Sequence, residues 1–274
     1  MKKLLTLFLT VVIAGFTAFS FVGCGASSAD DTIYVNTNAF FAPFEYYEGT
    51  KIKGVDVDIM ELVGQKLNKK VVIENTDFKV IIDNVSAGTK YDCGAAGITI
   101  TPTRAEKVNF STPYFTSVQY VIVESGKLEK SGTTEEGVDY VLWSELQGLA
   151  IGVQTDTTGD IYVSDEIALE TGELYNSGAT KIGFGNAQLA VDALKTQLDA
   201  VIVDKLPAEF IVNKNDGLSC FALYYDAETA TEEQYAICVN KNKTELLNAI
   251  NEVLAELGEE GINALVAKHL GLEN

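Results

Sequence analysis

Apolar positions fall into short β-branched runs that alternate with stretches of helical spacing. The run over 33–36 predicts a strand. After Gly54-Val55-Asp56-Val57-Asp58, apolar residues at Ile59, Leu62, Val63 and Leu67 recur at helical intervals. A strand over 70–74, a helix over 80–85 ended near Gly88 and a small-residue strand over 91–96 come next. Thr101 supplies an N-cap and Pro102 a first helical position for a short helix, and 119–123 reads as a further strand. Past a polar stretch over 124–137 the rhythm restarts with a strand over 149–153 and a helix opened by Thr158-Gly159-Asp160. An amphipathic helix over 187–198, with Leu189, Ala190, Ala193 and Leu194 on one side, leads to a buried strand over 200–203 that ends at Asp204. A strand over 234–239 precedes a helix over 244–257, with Leu246, Leu247, Ile250, Val253 and Leu254 inward, and a short helix over 262–270 after Gly261. No internal repeat is visible. Alternating strands and helices mean α/β sheets with crossovers, and two such series suggest two lobes.

The first 23 residues stand outside this rhythm. Met1, Lys2 and Lys3 make a short positive start, and residues 4–23 carry no charge. That length spans a bilayer, so an uncleaved anchor is one reading. The end of the segment favours another: Phe21-Val22-Gly23-Cys24 resembles the lipobox of bacterial lipoproteins, with Phe21 where Leu is usual. The resemblance implies cleavage before Cys24, acylation of that cysteine and a flexible tether over 24–31. Two fatty chains on one cysteine suffice for anchoring without a transmembrane helix.

Composition narrows the function. Of 274 residues, 47% are apolar and 22% charged, which excludes a disordered or fibrous chain. The net charge of −19 repels phosphate backbones, so no nucleic-acid partner is expected. One His and four Cys leave little for a zinc site or a Ser-His-Asp triad. No metal and no cofactor are expected. His269, in the C-terminal helix, reads as a surface residue near a helix end. Cys93, Cys220 and Cys238 lie in apolar, strand-like runs and read as buried free thiols, with one disulfide among them an open alternative.

The motifs then carry a family. Asn36-Thr37-Asn38-Ala39-Phe40-Phe41-Ala42-Pro43-Phe44-Glu45, Gly54-Val55-Asp56-Val57-Asp58-Ile59 and Ala95-Ala96-Gly97-Ile98-Thr99-Ile100-Thr101-Pro102-Thr103-Arg104 stand in order. Val108-Asn109-Phe110-Ser111-Thr112-Pro113-Tyr114, Gly152-Val153-Gln154-Thr155-Asp156-Thr157-Thr158-Gly159 and Asp199-Ala200-Val201-Ile202-Val203-Asp204 come after them. Together they resemble the bacterial extracellular solute-binding proteins of family 3, the amino-acid-binding components of ABC importers. The resemblance covers nearly all of the mature chain. It implies a two-lobed periplasmic-binding-protein-like type II α/β fold, each lobe a mixed sheet flanked by helices, with two hinge crossovers. Lobe one takes 32–114 and 235–274, lobe two 119–230, and the hinges lie near 114–118 and 231–235.

An amino acid carries a carboxylate and an ammonium on one carbon, and burying either unpaired costs several kcal/mol. The pocket therefore needs a cation, oriented N–H donors and an anion. Arg104 is the expected carboxylate clamp, its planar fork able to hold two oxygens, with Gly97 and Thr99 immediately upstream. Thr157 and Thr158, between a strand and a helix, are placed to present amides to the same anion. By resemblance Asp204 holds the ammonium; the alternative is a cap for the turn toward Pro207. Phe41 and Phe78 match the two aromatic positions that sandwich the ligand side chain, with core packing as the alternative. Asp156 stands where the family often has Gly.

Relatives for glutamine or basic amino acids commonly have Asp at the place of Asn38, and others Glu at the place of Phe40. This chain has neither, which favours a neutral ligand side chain, although Glu45 and Asp156 are acids able to enter the pocket. The implied protein is a monomeric, lipid-anchored receptor on the extracytoplasmic face of the cell membrane. It passes a free amino acid to a permease and its ATPase. A dehydratase for cyclohexadienyl acids on the same fold, and an amino-acid sensor, are the alternatives. The enzyme would need a general acid or base beside the substrate.

Overall fold

The computed structural model describes residues 31–272. The leader over 1–23 and Cys24 lie outside the described residues. The chain builds two mixed sheets. In the first, the strand Thr32–Thr37 lies parallel to Lys70–Asn75 on one side and to Cys93–Gly94 on the other. Cys238–Val239 and Asn109–Phe110 complete it in antiparallel pairing. The second sheet runs in the order Thr180–Phe184, Ala150–Gln154, Ala200–Asp204, Phe115–Glu124, Leu218–Tyr224, Asp139–Leu142 and Gly132–Thr133. A small three-stranded sheet, Phe40–Phe41, Glu45–Glu48 and Lys51–Lys53, sits beside the first.

Two stretches of chain cross between the lobes. The strand Phe115–Glu124 pairs at its start with Glu232–Tyr235 and further along with Ala200–Asp204 and Leu218–Tyr224. It is a ten-residue strand, longer than its apolar core over 119–123 implied, because polar Thr116 and Ser117 still find a ladder partner. Helix placement obeys local cues. Gly54, at φ 140°, ends the small sheet so tightly that a Cβ there would meet the Phe44 carbonyl oxygen at 1.9 Å. The helix Val55–Leu67 starts directly after it, so Asp56 and Asp58 fall in its first turn. Val55, Ile59, Met60 and Val63 of this helix pack with Ile250, Val253 and Leu254 of the C-terminal helix and with Val35 of the sheet.

Several expectations change. Over 91–96 only Cys93–Gly94 pairs as a strand. The helix expected over 187–198 is regular only across Ala187–Asp192, and its Leu189 is half exposed, while Ala187, Ala190 and Val191 are buried. The run 234–239 is two strands, Glu232–Tyr235 and Cys238–Val239. The C-terminal helices join as Thr244–Leu270 with the kink at Gly258 (φ 57°) rather than a start after Gly261. The strands Asp139–Leu142, Thr180–Phe184 and Leu218–Tyr224 and the helix Lys205–Val212 had no sequence expectation. Thr180–Phe184 is almost wholly exposed, and its two apolar residues, Ile182 and Phe184, are too few to mark a strand by alternation.

His269 is also corrected. Its side chain is only 5% exposed, with Nε2 2.9 Å from Asp58 Oδ2 and Nδ1 3.1 Å from the Tyr46 hydroxyl. The kinked helix folds back over the first lobe and carries His269 onto these partners. Cys93, Cys220 and Cys238 are free, Cys220 being only partly buried. Cys93 sits opposite Val239 and Cys238 opposite Gly94, one position out of register. Their side chains therefore leave opposite faces of the sheet and enter different core clusters.

Candidate ligand-binding site

The chain's polar motifs converge where strands end. Asn38 comes directly after Thr32–Thr37, the loop over 95–99 after Cys93–Gly94, Gln154 closes Ala150–Gln154, and Asp204 closes Ala200–Asp204. Ligands bind open α/β sheets at such carboxyl edges. Between the lobes lies a narrow cavity of about 10 Å³. Asn38, Phe41, Phe78, Gly97, Thr99, Thr157, Thr158 and Asp204 all line it. Of the residues expected at a site, Arg104 alone stands at the margin rather than in the wall.

Arg104 is held from behind. Thr101, extended before Pro102, accepts the Arg104 amide at 3.2 Å and caps the helix Pro102–Lys107. The guanidinium donates through Nη1 to the Thr99 carbonyl at 2.8 Å and through Nη2 to the Asp156 carbonyl at 2.7 Å. It lies over the Phe78 ring, 5.5 Å from the centroid. Burial pulls its pKa down from the usual range, against the opposing charges of Glu233, Asp156 and Asp204.

Asp156 explains itself by its backbone. It has φ 64°, the left-handed region where Gly is usual, and its side chain is exposed. Its amide donates to Asp160 Oδ2 at 2.8 Å, and Lys181 pairs with the other Asp160 oxygen. Thus the Asp156 carbonyl, and not its carboxylate, faces Arg104.

Thr157 caps the helix Thr158–Ala168, its hydroxyl donating to the Gln154 carbonyl at 2.8 Å. Thr158 donates to the Thr99 hydroxyl across the cleft at 2.7 Å, and Thr99 in turn donates to Glu233. Asn38 spends its amide nitrogen on the Thr76 carbonyl at 2.7 Å and accepts from Gln154 Nε2 at 3.0 Å. Gly97, at φ 53°, brings its backbone against Phe41, where a Cβ would fall 2.7 Å from the ring. Phe41 is packed with Phe44 and Tyr235 on one side and lines the cavity on the other.

Asp204 occupies a helix N-cap position but makes no capping bond. Its carboxylate accepts from Gln119 Nε2 at 2.9 Å, and the same amide reaches Glu233. Burial, then the neighbouring Glu233, raises the Asp204 pKa well above the usual carboxylate range.

Sequence reasoning gave no role to Glu233, Gln119 or Gln154. Nothing in Glu232-Glu233-Gln234-Tyr235 marks Glu233 as buried; only in the fold do Glu232 and Gln234 face out and Glu233 and Tyr235 face in. Glu45, expected only as an acid able to enter the pocket, is the most consequential addition. It lines the cavity at 1% exposure, and neither of its carboxyl oxygens meets a donor. Asp56 stands against it, fully buried. Burial, then Asp56, raises the Glu45 pKa well above its usual value, and burial lifts Asp56 to about 6.

The model of the bacterial extracellular solute-binding proteins, family 3, matches residues 33–272. The chain belongs to this family. Family 3 members bind solutes outside the cytoplasm, and this one is a binding protein rather than an enzyme. An arginine-binding extracellular protein of Bacillus subtilis (strain 168), ArtP, is 25% identical over 266 residues, covering 95% of this chain and 94% of its own. An ancestral arginine-binding protein is solved in two forms. The arginine-bound form is 30% identical with TM-score 0.71, covering 87% of this chain and 97% of its own. The glutamine-bound form is 30% identical with TM-score 0.70, covering 88% and 98%. The two-lobed type II α/β fold is thereby shared.

Proposed function

We propose that this family 3 protein captures a cationic amino acid for its transporter. As an amino-acid-binding protein of an ABC transporter it has arginine-, histidine- and cystine-binding relatives. The ligand carboxylate meets Arg104 and the helix start at Thr158, with Gly97 and Thr99 beside it. The ammonium meets Asp204 and Glu233. The side chain runs between Phe41 and Phe78 toward Glu45.

The observation that carries this reading is Glu45, a buried carboxyl in the cavity wall without a hydrogen-bond donor. Three carboxyls, Glu45, Asp204 and Glu233, line the cavity with one guanidinium, Arg104, at its margin, and a zwitterion leaves that imbalance unchanged. A side-chain cation reduces it. The neutral side chain favoured by Asn38 and Phe40 yields to this acid, which reaches the pocket from seven residues beyond Asn38. A neutral ligand remains the second reading, favoured by the raised pKa of Glu45, since a protonated carboxyl presents no charge. Calorimetry with arginine, lysine, histidine and glutamine separates them. The cationic reading expects arginine or lysine to bind roughly tenfold or more tighter than glutamine, about 1.4 kcal/mol. Tighter glutamine binding sinks it.

The lobes, 32–114 with 235–274 and 119–230, close about 114–118 and 231–235. The pairing of Phe115–Glu124 with Glu232–Tyr235 supports a two-stranded pivot. Ligand bridging both lobes favours closure because each charge finds its partners only when both are near. The lipobox-like 21–24 supports a lipid anchor at Cys24 on the extracytoplasmic face, beside the permease and ATPase. Cys24→Ser is expected to move the protein from membrane to soluble fractions; unchanged retention would favour an uncleaved anchor.

A further inference from the structure

Glu45 and Asp56 are unequal partners. Asp56 accepts two bonds, from the Gly97 amide at Oδ2 (2.9 Å) and from the Tyr114 hydroxyl at Oδ1 (2.5 Å). Glu45 accepts none, yet it is the one that lines the cavity. Two buried carboxyls in contact cannot both ionise without a large penalty. Donors stabilise the charged form of an acid, so the two bonds keep the charge on Asp56 and leave the proton to Glu45. That proton completes the contact, because a protonated Glu45 is itself a donor to Asp56.

We propose that Glu45 and Asp56 are a proton-sharing pair that adapts the cleft to ligand charge. With a neutral ligand side chain the pair keeps one proton. With a cationic one, Glu45 gives its proton to solvent through the cleft, and the ligand charge takes its place between two carboxylates. Capture of a cation therefore releases a proton, and the preference for cationic over neutral amino acids strengthens as pH rises. This rests on the ligand reading above, which it deepens.

The other charged and titratable groups around Glu45 fit this role. Tyr114 faces the pair from the segment before the crossing strand. Asp204 faces it from the second lobe, and its charge opposes ionisation of Glu45. Glu233 lines the same cavity, whereas no lysine or histidine does among the described residues. Arg104 is engaged by the carbonyls of Thr99 and Asp156 at the margin. A cation for Glu45 must therefore come from the ligand.

The test is calorimetry on the full chain with L-arginine and L-glutamine, in buffers of differing ionisation enthalpy. At pH 7, above the Asp56 value of about 6, arginine binding is expected to release about one proton more than glutamine binding, any proton lost from Asp204 to the shared ammonium being common to both. Glu45→Gln is expected to abolish that difference and to weaken arginine roughly tenfold more than glutamine. Arginine bound with no more proton release than glutamine, or a difference that survives in Glu45→Gln, overturns the pair.

If no cationic amino acid binds, the ligand reading fails, and melting temperature against pH judges the pair itself. An acid that holds its proton more tightly folded than unfolded makes the fold gain stability as pH falls. Glu45, raised well above its usual value, holds its proton throughout this range, while Asp56 takes one up below about 6. The gain from pH 7 to pH 5 is expected to be smaller in Glu45→Gln than in wild type. Equal gains overturn the pair independently of any ligand.

Discussion

Asp204 and Glu233 share the amide of Gln119, and Glu233 also takes the Thr99 hydroxyl. Glu45 and Asp56, elsewhere in the same cleft, divide their donors so that Asp56 has two and Glu45 none. Both pairs are buried, and burial alone raises an acid's pKa. The difference lies in donor supply. Where the protein provides donors to both partners, each acid is hydrogen-bonded before a ligand arrives, even as burial raises Asp204. Where it starves one partner, a proton fills the gap and must leave before a cation can be matched.

The largest effect on this contrast is expected from Arg104→Ala. It removes the positive charge that acts on Asp204 and Glu233 and leaves a ligand carboxylate poorly paired. Affinity measured by calorimetry should fall on the order of a hundredfold or more, about 2.7 kcal/mol. Comparable affinity would remove the clamp. Next, Gln119→Leu strips the shared donor from the first pair. Losing hydrogen bonds to buried carboxyls should cost about 3 kcal/mol of stability, read as a melting temperature lower by several degrees. An unchanged melting temperature would mean that the two pairs do not differ in donor supply. The smallest effect is expected from Gly97→Ala, which strains a position at φ 53° and presses on Phe41 while leaving the amide that serves Asp56. A loss of about 1–2 kcal/mol in stability is expected, with ligand affinity reduced as Phe41 shifts. Full stability would show that the loop over 95–99 gives way easily.

Much of the fold was legible. The strand Ala200–Asp204 is five consecutive buried residues, an unbroken apolar run up to its closing acid. The helix Pro102–Lys107 announces itself by Thr101-Pro102. By contrast Thr180–Phe184, short and mostly exposed, is a strand because Ala150–Gln154 pairs with it. The expected site residues gather at one cavity because they end strands, begin helices or sit in the loops between, places where turn and cap residues mark the chain. Glu233 and Gln119 escaped notice because a single buried polar residue in a strand looks like any solvated one until its partners are known.

Local spacing thus determined the order of elements, the caps and the motifs that identify the family, since these depend on neighbours within a few residues. The tertiary structure alone decided which acids face the cleft and which donors they receive. Glu45 meets Asp56 because helix Val55–Leu67 packs beneath the small sheet, and Asp56 is bonded because Tyr114 arrives from 58 residues away. His269 reaches Asp58 across 211 residues for the same reason. Burial and hydrogen-bond supply are properties of the packed chain, and they set the charge of every carboxyl in this cleft.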